Sequence, residues 1–321
     1  MSVRNDYRFA KQLGDNRIID QIVLVSDDLE EMVGILENTF GFEGFRFRTD
    51  VLGKNAAVTL ASGIELFLIQ PSKTDSAYRR YFETYGKGIM GIRERITLGA
   101  AGIWRAHIET QNIPVIKEQK DFWWMDLRED LGCMYGLYIC EEPLIPCSDC
   151  KNIGQICIAA TDTEKAAADL LHYIGKGPWE IGFINSHTSD YFESSEYDAA
   201  HFPDAEMRTG MGWFSNLEFE LIEPTKGPMP YFRFLDRHGN GFHHIKEILT
   251  PETWDETLQK YKDLGVGTAL AGKLGPCAFS NLDTEELLGF VYELSDGHVM
   301  DKLPDGYGAY MYPAIEADEA V

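Results

Sequence analysis

The sequence predicts an α+β fold arranged as two tandem domains, and three observations support this fold class. Short β-branched runs alternate with helical periods, the predicted strands outnumber the helices, and the second half of the chain repeats the first. This order of strands and helices favours modules whose sheets face a common cavity over a doubly wound parallel sheet. The glycine pairs Gly86-x-Gly88 and Gly239-x-Gly241 each precede a strand and not a helix, so the dinucleotide-binding fingerprint is not met.

The two halves begin with the same elements in the same order. From Ile18 onward, and again from Asn152 onward, a short apolar run leads into a segment with helical periodicity. Each run carries a glutamine, Gln21 in the first half and Gln155 in the second. We therefore predict a strand followed by a helix at the start of both halves.

A stricter correspondence relates residues that lie 153 positions apart, because at least ten of thirty consecutive positions are identical under this shift. The identical pairs include Leu68 and Leu221, Ile69 and Ile222, Pro71 and Pro224, Tyr78 and Tyr231, Arg80 and Arg233, Gly86 and Gly239, Gly88 and Gly241, Ile92 and Ile245, Glu94 and Glu247, and Thr97 and Thr250. Such agreement indicates an internal duplication. The predicted domains are 17–145 and 150–301, followed by a C-terminal tail over 302–321.

A later helix is expected in each half. In the second half it runs from Pro251 to Leu264, because Thr250 suits the N-cap, proline suits the first helical position and Gly265 follows the end. Its counterpart in the first half covers about 100–111.

The second half also carries about nineteen additional residues before Glu220, within 185–212. This polar run has little periodicity. It is either a surface excursion or a lid over the cavity, since long ordered loops in compact domains are often functional.

Composition and charge limit the function. The 321 residues carry a formal net charge of -23, which argues against nucleic acid because a phosphate backbone is held by clustered Lys and Arg. No stretch approaches the roughly 18 apolar residues of a membrane helix, and the N-terminus lacks the apolar core of a signal peptide. We expect a cytoplasmic protein with a small-molecule substrate and no nucleic-acid or membrane partner, and a homodimer is left open.

Six cysteines are present, five of them close together in the middle of the chain. Cys147 and Cys150 have the C-x-x-C spacing of redox or zinc sites, but no second pair follows at zinc-finger distance. We interpret them as reduced thiols, with a stapled linker as the alternative.

The stretch from Arg237 to Thr250 reads as a glycine turn that leads into a strand. Because neighbouring residues on a strand point to opposite faces, one of His243 and His244 should face inward and the other outward. The first-half copy keeps the turn glycines but has Met90 and Gly91 in place of the two histidines.

Three stretches of the second half together resemble the vicinal oxygen chelate superfamily, and within it the glyoxalase I and methylmalonyl-CoA epimerase groups. They are Glu220-Leu-Ile-Glu-Pro224, the Gly-x-Gly-Phe-His-His-Ile run that ends at Ile245, and Gly289-Phe-Val-Tyr-Glu293-Leu, preceded by the Gln155 strand. The resemblance implies paired βαβββ modules, two per domain, that form a curved sheet around one divalent metal ion.

Carried over position by position, the resemblance implies four metal ligands. They are Gln155, Glu220, His244 and Glu293. This set of one imidazole, one amide and two carboxylates suits Zn, Mn, Co, Ni or Fe(II). Lys246 is expected either to bind an anionic substrate group or to pair with an acidic neighbour. His243 is expected to face away from the site and receives no role.

The first-half equivalents of these ligands are Gln21, at a shift of 134 positions, and Phe67, Gly91 and Cys140, at the shift of 153. Phe and Gly side chains cannot bind metal, so the first half is expected to have lost its site. A metal site shared between the halves would leave Glu220 unused, so we expect all four ligands within the second half.

The resemblance implies chemistry next to a metal-chelated carbonyl. The metal stabilises an enolate or enediolate while a base removes the α-proton, as in an isomerase, epimerase or lyase. Glu293 or Glu220 would act as this base, and Glu206 is a weaker candidate for a second base.

Two alternatives to the isomerase stay open. An Fe(II) dioxygenase of the 4-hydroxyphenylpyruvate or ring-cleaving type would use positions 155, 244 and 293, although Gln155 stands where such a triad needs histidine. A binding protein without catalysis is the other alternative, and it predicts no bound metal.

Overall fold

The computed structural model describes residues 3–185, 188–189, 191–194, 205–298, 303 and 306–314. The chain forms two compact units. The N-terminal unit contains residues 13–153 and 285–290, and the C-terminal unit contains the described residues of 1–12, 154–284 and 291–321. The predicted domain boundaries at 17–145, 150–301 and 302–321 stay a prediction. No helix among the described residues has the length and apolar character needed to cross a membrane.

The N-terminal unit consists of two βαβββ modules. The first comprises β1 (Arg17–Val25), α2 (Leu29–Asn38), β2 (Arg46–Thr49), β3 (Gly53–Thr59) and β4 (Glu65–Pro71). The helix α3 (Ala77–Tyr85) leads to the second, which comprises β5 (Gly88–Ile96), α4 (Leu98–Gln111), β6 (Val115–Gln119), β7 (Phe122–Leu127), α5 (Arg128–Leu131) and β8 (Cys133–Ile139). The eight strands form one sheet in the order β2-β3-β4-β1-β5-β8-β7-β6.

The C-terminal unit repeats this plan, and the helix α1 (Val3–Leu13) lies almost entirely within it. Its first module contains β9 (Ile153–Ala159), α6 (Thr163–Ile174), β10 (Trp179–Asn185), β12 (Glu206–Phe214) and β13 (Leu217–Lys226), with the short strand β11 (Tyr191–Ser194) before β12. After α7 (Pro230–His238) come β14 (Gly241–Ile248), α8 (Trp254–Asp263), β15 (Thr268–Leu274), β16 (Cys277–Leu282), β17 (Val291–Ser295) and β18 (Tyr310–Tyr312). The helix α9 (Glu285–Leu288) lies between β16 and β17 in the sequence, and its residues belong to the N-terminal unit. The sheet order is β11-β15-β16-β17-β14-β9-β13-β12-β10-β18.

The predicted α+β fold of paired βαβββ modules is confirmed by these two sheets. Within each module the first and last strands are parallel neighbours, as β1 and β4 are, and as β9 and β13 are. Strands buried on both faces are mostly apolar, and the last four residues of β1, Ile-Val-Leu-Val, follow this rule. Helices start where the sequence offers a cap: the Asp28 side chain accepts a hydrogen bond from the Glu31 N–H at α2, and the Asp162 side chain accepts one from the Lys165 N–H at α6.

The duplication is visible in the element boundaries. α3 and α7 lie 153 positions apart at both ends, and β5 and β14 begin at the same shift. Neither α3 nor α7 is among the helices predicted from the sequence, and each is only nine residues long. These helices connect the two modules of their unit.

The predicted start of the later helix in the second half is wrong by three residues. α8 begins at Trp254, and the backbone N–H of Thr253 donates to the Thr250 carbonyl at 3.0 Å. The Thr253 hydroxyl also donates to that carbonyl, at 3.1 Å, so side-chain bonding closes a separate turn before the helix. Its first-half counterpart α4 begins at Leu98, with Thr97 as its cap.

Parts of the predicted excursion over 185–212 lie outside the described residues, namely 186–187, 190 and 195–204. Its described part contains β11, which pairs with β15 at the edge of the sheet away from β10. A lid function for this stretch stays a prediction.

Aromatic side chains fill the interior of the N-terminal unit. Trp124 is fully buried, with its ring centroid 5.9 Å from that of Tyr78 and 5.3 Å from that of Phe122. Phe67, at the position equivalent to Glu220, has its ring 6.3 Å from that of Tyr78. In the N-terminal unit, packed aromatic rings therefore occupy the region that is equivalent to the metal site expected in the second half.

We expect Phe122→Ala to destabilise the protein by about 3–5 kcal/mol, because it opens a cavity beside Trp124. Urea denaturation would measure this change. Phe47→Ala is the matched control in the same unit, since Phe47 is 55% exposed. Equal losses in the two variants would contradict the aromatic packing described for this core.

Candidate metal centre

The polar cluster of the C-terminal unit lies on the four central strands of its sheet, β17, β14, β9 and β13, which are adjacent in that order. Because β9 and β13 are parallel and in register, Gln155 lies opposite Glu218, and Cys157 lies opposite Glu220. On the other side, His244 of β14 is paired with Val291, and Lys246 with Glu293 of β17. Alternation along each strand then directs these side chains to a common face.

Two carboxylates converge on the imidazole of His244. Its Nε2 atom lies 2.7 Å from Glu293 Oε2 and 3.1 Å from Glu220 Oε2. The His244 side chain is fully buried, and those of Glu293 and Glu220 are only 4% and 10% exposed. Nevertheless, Nε2 has no partner with hydrogen-bond geometry among the described residues. A buried nitrogen that faces two carboxylates without a hydrogen bond is an arrangement that a cation would complete.

The spacing of these atoms fits a single metal ion. Zinc binds imidazole nitrogen and carboxylate oxygen at about 2.1 Å, so two such ligands of a tetrahedral ion lie about 3.4 Å apart. The measured separations of 2.7 and 3.1 Å are shorter than this value, so small outward movements of the side chains would admit the ion. Cys157 also belongs to the cluster, because its sulfur, a Glu220 oxygen and a His244 nitrogen all lie within 4.8 Å of one another. The residues present therefore suit a divalent cation.

Lys246 compensates part of the negative charge. Its Nζ atom lies 3.0 Å from Glu293 Oε1, so the two oxygens of Glu293 face different partners. Of the two roles expected for Lys246, the structure shows the pairing with an acidic neighbour. Burial acts to raise the pKa of Glu293, but Lys246 and His244 outweigh it and hold this pKa at about 2.

The other ionisable groups of the cluster respond to burial. Burial raises the pKa of the Cys157 thiol to about 12. Burial also raises the pKa of Glu218 above its ordinary value, although Lys246 opposes this shift. At His244, burial acts to lower the pKa, yet the nearby Cys157 and Glu293 raise it well above the ordinary value. Without a metal ion, the cluster therefore favours a protonated imidazole between its carboxylates.

Gln155 is held by a neighbouring carboxylate. Its side-chain nitrogen donates to Glu218 Oε2 at 2.7 Å, and its Oε1 atom is buried with no hydrogen-bond partner in the described part of the chain. The N-terminal unit contains the same pair, because the Gln21 side-chain nitrogen donates to Glu65 Oε2, also at 2.7 Å. Gln155 thus offers an oxygen to the site, but its pairing does not depend on the site.

The expectation that His243 faces outward is wrong. His243 is 1% exposed, and its Nδ1 atom lies 3.0 Å from Nδ1 of His244. Its ring packs on Tyr231 and Phe234 of α7, with centroids 4.6 and 5.0 Å away. The equivalent residue of the first half, Met90, is the extra residue of a β-bulge, so this position of the repeat does not follow strict alternation.

His243 is placed to fix the tautomer of His244. Burial lowers the pKa of His243 well below its ordinary value, so its ring stays neutral and can accept a hydrogen bond at Nδ1. If His244 donates from Nδ1 across this 3.0 Å contact, its Nε2 atom carries the lone pair that a metal needs. Sequence reasoning missed this role because it assumed a regular strand.

Glu206 is the one predicted site residue that the structure does not bring to the cluster. It begins β12, five residues before Met211, and Met211 is the residue paired with Glu220. At about 3.4 Å per residue, these five steps separate it from the cluster by roughly 17 Å along the strand. Its carboxylate instead accepts a hydrogen bond from the Thr225 hydroxyl at 3.1 Å.

Strand register also corrects the first-half equivalent of Glu293. Lys246 is paired with Glu293, and its equivalent Arg93 is paired with Gly136, so Gly136 and not Cys140 occupies this position. The loops and strands before β8 and β17 differ in length, so the shift of 153 no longer holds there. A Cβ atom at Gly136 would lie 3.0 Å from the Trp124 ring, so aromatic packing excludes a larger side chain.

Comparison with known proteins supports the fold. Neither a protein-family model nor a curated protein matches this sequence. A triple-substitution variant of 4-hydroxymandelate synthase from Streptomyces coelicolor superposes with a TM-score of 0.60 at 13% identity, covering 87% of this chain and 91% of that one. A 2,2',3-trihydroxybiphenyl 1,2-dioxygenase from Sphingomonas wittichii strain RW1 superposes with a TM-score of 0.54 at 14% identity, covering 87% and 90%.

A third solved structure is a fusion of a xylose isomerase-like TIM barrel with 4-hydroxyphenylpyruvate dioxygenase. It superposes with a TM-score of 0.53 at 10% identity, covering 87% of this chain but 48% of the fusion protein. This chain therefore spans about half of the fusion's length. Together the three superpositions confirm that this chain shares its two-domain fold with these proteins.

We expect Lys246→Met to lower the free energy of unfolding of the chelator-treated protein by about 3–5 kcal/mol, because it leaves the buried carboxylate of Glu293 without its cation. Urea denaturation would measure the loss. Lys165→Met is the matched control in the same unit, since the Lys165 side chain is 55% exposed in its ion pair with Asp169. An effect of Lys246→Met no larger than that of Lys165→Met would contradict the electrostatic account of the cluster.

Proposed function

We propose that this protein is a metal-dependent enzyme whose C-terminal unit binds one divalent ion and a small-molecule substrate. The observation that carries this proposal is the buried His244 Nε2 atom, which faces Glu293 and Glu220 at 2.7 and 3.1 Å without hydrogen-bond geometry. Glu220, His244 and Glu293 are the core of the ligand set. A further donor comes from β9, which offers both the sequence-predicted Gln155 and Cys157.

When bound, the ion supplies a Lewis acid that polarises two neighbouring oxygens of a substrate. The protein's own residues then have separable roles. Lys246 and His244 keep Glu293 ionised, so Glu293 serves mainly as a ligand. Glu220 is the better placed of the two predicted bases, because its contact with His244 is longer and its side chain less buried. In this proposal Glu220 takes the α-proton of the substrate.

The donor set favours proton transfer as the reaction. The facial triad of non-haem iron oxygenases combines two histidines with one carboxylate. Here one imidazole nitrogen meets two carboxylates, and His243 contacts His244 at Nδ1, on the ring edge away from the carboxylates. An isomerase, epimerase or lyase that removes a proton next to a chelated carbonyl is therefore the first candidate.

A dioxygenase is the second candidate, and the structural neighbours favour it. Two of the three carry dioxygenase in their names, and each covers 87% of this chain. The tandem arrangement, in which aromatic rings fill the first unit, also suits a dioxygenase. At identities of 10–14%, these superpositions show the fold and not the reaction. An experiment therefore has to distinguish the isomerase from the dioxygenase.

We expect His244→Ala to abolish stoichiometric zinc or cobalt binding, because it removes the imidazole nitrogen that lies between the two carboxylates. His243→Ala should retain binding with affinity about 10–100-fold weaker, as expected for a residue that orients a ligand. Isothermal titration calorimetry of the metal-free proteins would measure both constants. If the two variants behaved alike, the distinct roles assigned to the two histidines would be wrong.

Deuterium exchange and oxygen uptake separate the two reaction classes. The metal-loaded protein is incubated in D2O with 2-keto, 2-hydroxy acid and thioester compounds, and the substrates are analysed by NMR. We expect exchange at the α-carbon without oxygen consumption, lost in Glu220→Gln. Oxygen uptake coupled to substrate loss would instead establish the dioxygenase. No metal binding, even after reconstitution, would remove both enzyme classes and leave a non-catalytic binding protein.

A further inference from the structure

We propose that Cys157 binds the metal ion through its sulfur and supplies the ligand from β9 in place of Gln155. This inference rests on the metal site of the proposed function and specifies its donor set. Cys157 is fully buried and lies opposite Glu220 in the register of β9 and β13. Its side chain therefore enters the cluster beside that of Glu220.

The distances admit sulfur to the same coordination shell. The ligand atoms of Cys157, Glu220 and His244 lie within 4.8 Å of one another. A zinc ion binds sulfur at about 2.3 Å and nitrogen or oxygen at about 2.1 Å, so a sulfur ligand and a nitrogen or oxygen ligand of a tetrahedral ion are about 3.6 Å apart. All three atoms can therefore reach one ion after small adjustments. Glu293, at 2.7 Å from His244, completes a set of four.

The internal duplication indicates which residue of β9 belongs to the metal site. The N-terminal unit keeps the Gln21–Glu65 pair at the same 2.7 Å as Gln155–Glu218, although it retains none of the other ligand positions. In its next row, Val23 lies opposite Phe67, where the C-terminal unit has Cys157 opposite Glu220. The glutamine pair is therefore a feature of the fold.

Four residues of the cluster in the C-terminal unit share one property. Each stands where the N-terminal unit has a residue that cannot bind metal. They are Cys157 for Val23, Glu220 for Phe67, His244 for Gly91 and Glu293 for Gly136. A thiolate in this set favours Zn, Co or Fe(II) over Mn, which prefers oxygen ligands. On binding, the thiol proton passes to the buffer as the sulfur–metal bond forms.

Cobalt(II) provides a direct readout of a sulfur ligand. Metal-free protein is titrated with one equivalent of CoCl2, and the near-ultraviolet sulfur-to-cobalt charge-transfer band is recorded. We expect this band in the wild type and in Gln155→Ala, and its loss in Cys157→Ser and Cys157→Ala. Cys133→Ala is the matched control for a buried thiol, since Cys133 belongs to the N-terminal unit, and it should keep the band.

The outcomes separate this inference from the proposed function. Stoichiometric cobalt binding without the band, or a band that persists in Cys157→Ala, would overturn the role of Cys157 and leave the metal site standing. Absence of cobalt binding in the wild type would overturn both. If the Cys157 variants failed to fold, X-ray absorption of the zinc-loaded wild type and Cys133→Ala would decide, with one sulfur at about 2.3 Å expected and none contradicting the inference.

Discussion

The structure of the C-terminal unit depends on the charge balance of one buried cluster. Glu220 and Glu293 are carried into the centre of the sheet, where isolated carboxylates would cost several kcal/mol each. Lys246 balances one of them through Glu293 Oε1, and His244 faces both. A protonated imidazole can complete this balance at low cost in the free protein. A divalent ion can balance the carboxylates while the imidazole is neutral. The buried charges, which are costly on their own, would then form a reactive centre.

The duplication gives this cluster an internal reference. Both units share the module order, the parallel pairing of first and last strands, and the buried glutamine–glutamate pair. They differ in what fills the centre. Rings of Phe67, Tyr78, Phe122 and Trp124 pack there in the N-terminal unit, whereas polar side chains converge in the C-terminal unit. The same fold therefore accommodates either a packed core or a site, and the choice depends on a few positions of the central strands.

Much of this could be predicted from the sequence, because repeated local signals survive in both halves. The α+β class and the duplication follow from patterns in the sequence, and the resemblance to a known superfamily implied the convergence of Glu220, His244 and Glu293. The remaining features depend on pairing that no single segment reveals. The Gly136 equivalence needs the register of β5 with β8, and the burial of His243 involves a position where the repeat departs from strict alternation. Cys157 is recognised only when β9 and β13 are laid side by side.

Crystallography of the metal-loaded protein tests the central claim most directly. Diffraction data collected above and below the absorption edge of the added metal would show whether an ion lies in the buried cluster. A single anomalous peak about 2.1 Å from His244 Nε2, within bonding distance of Glu220 and Glu293, is the predicted result. Density in which His244 donates a hydrogen bond directly to Glu293, with no peak between the carboxylates, would contradict it.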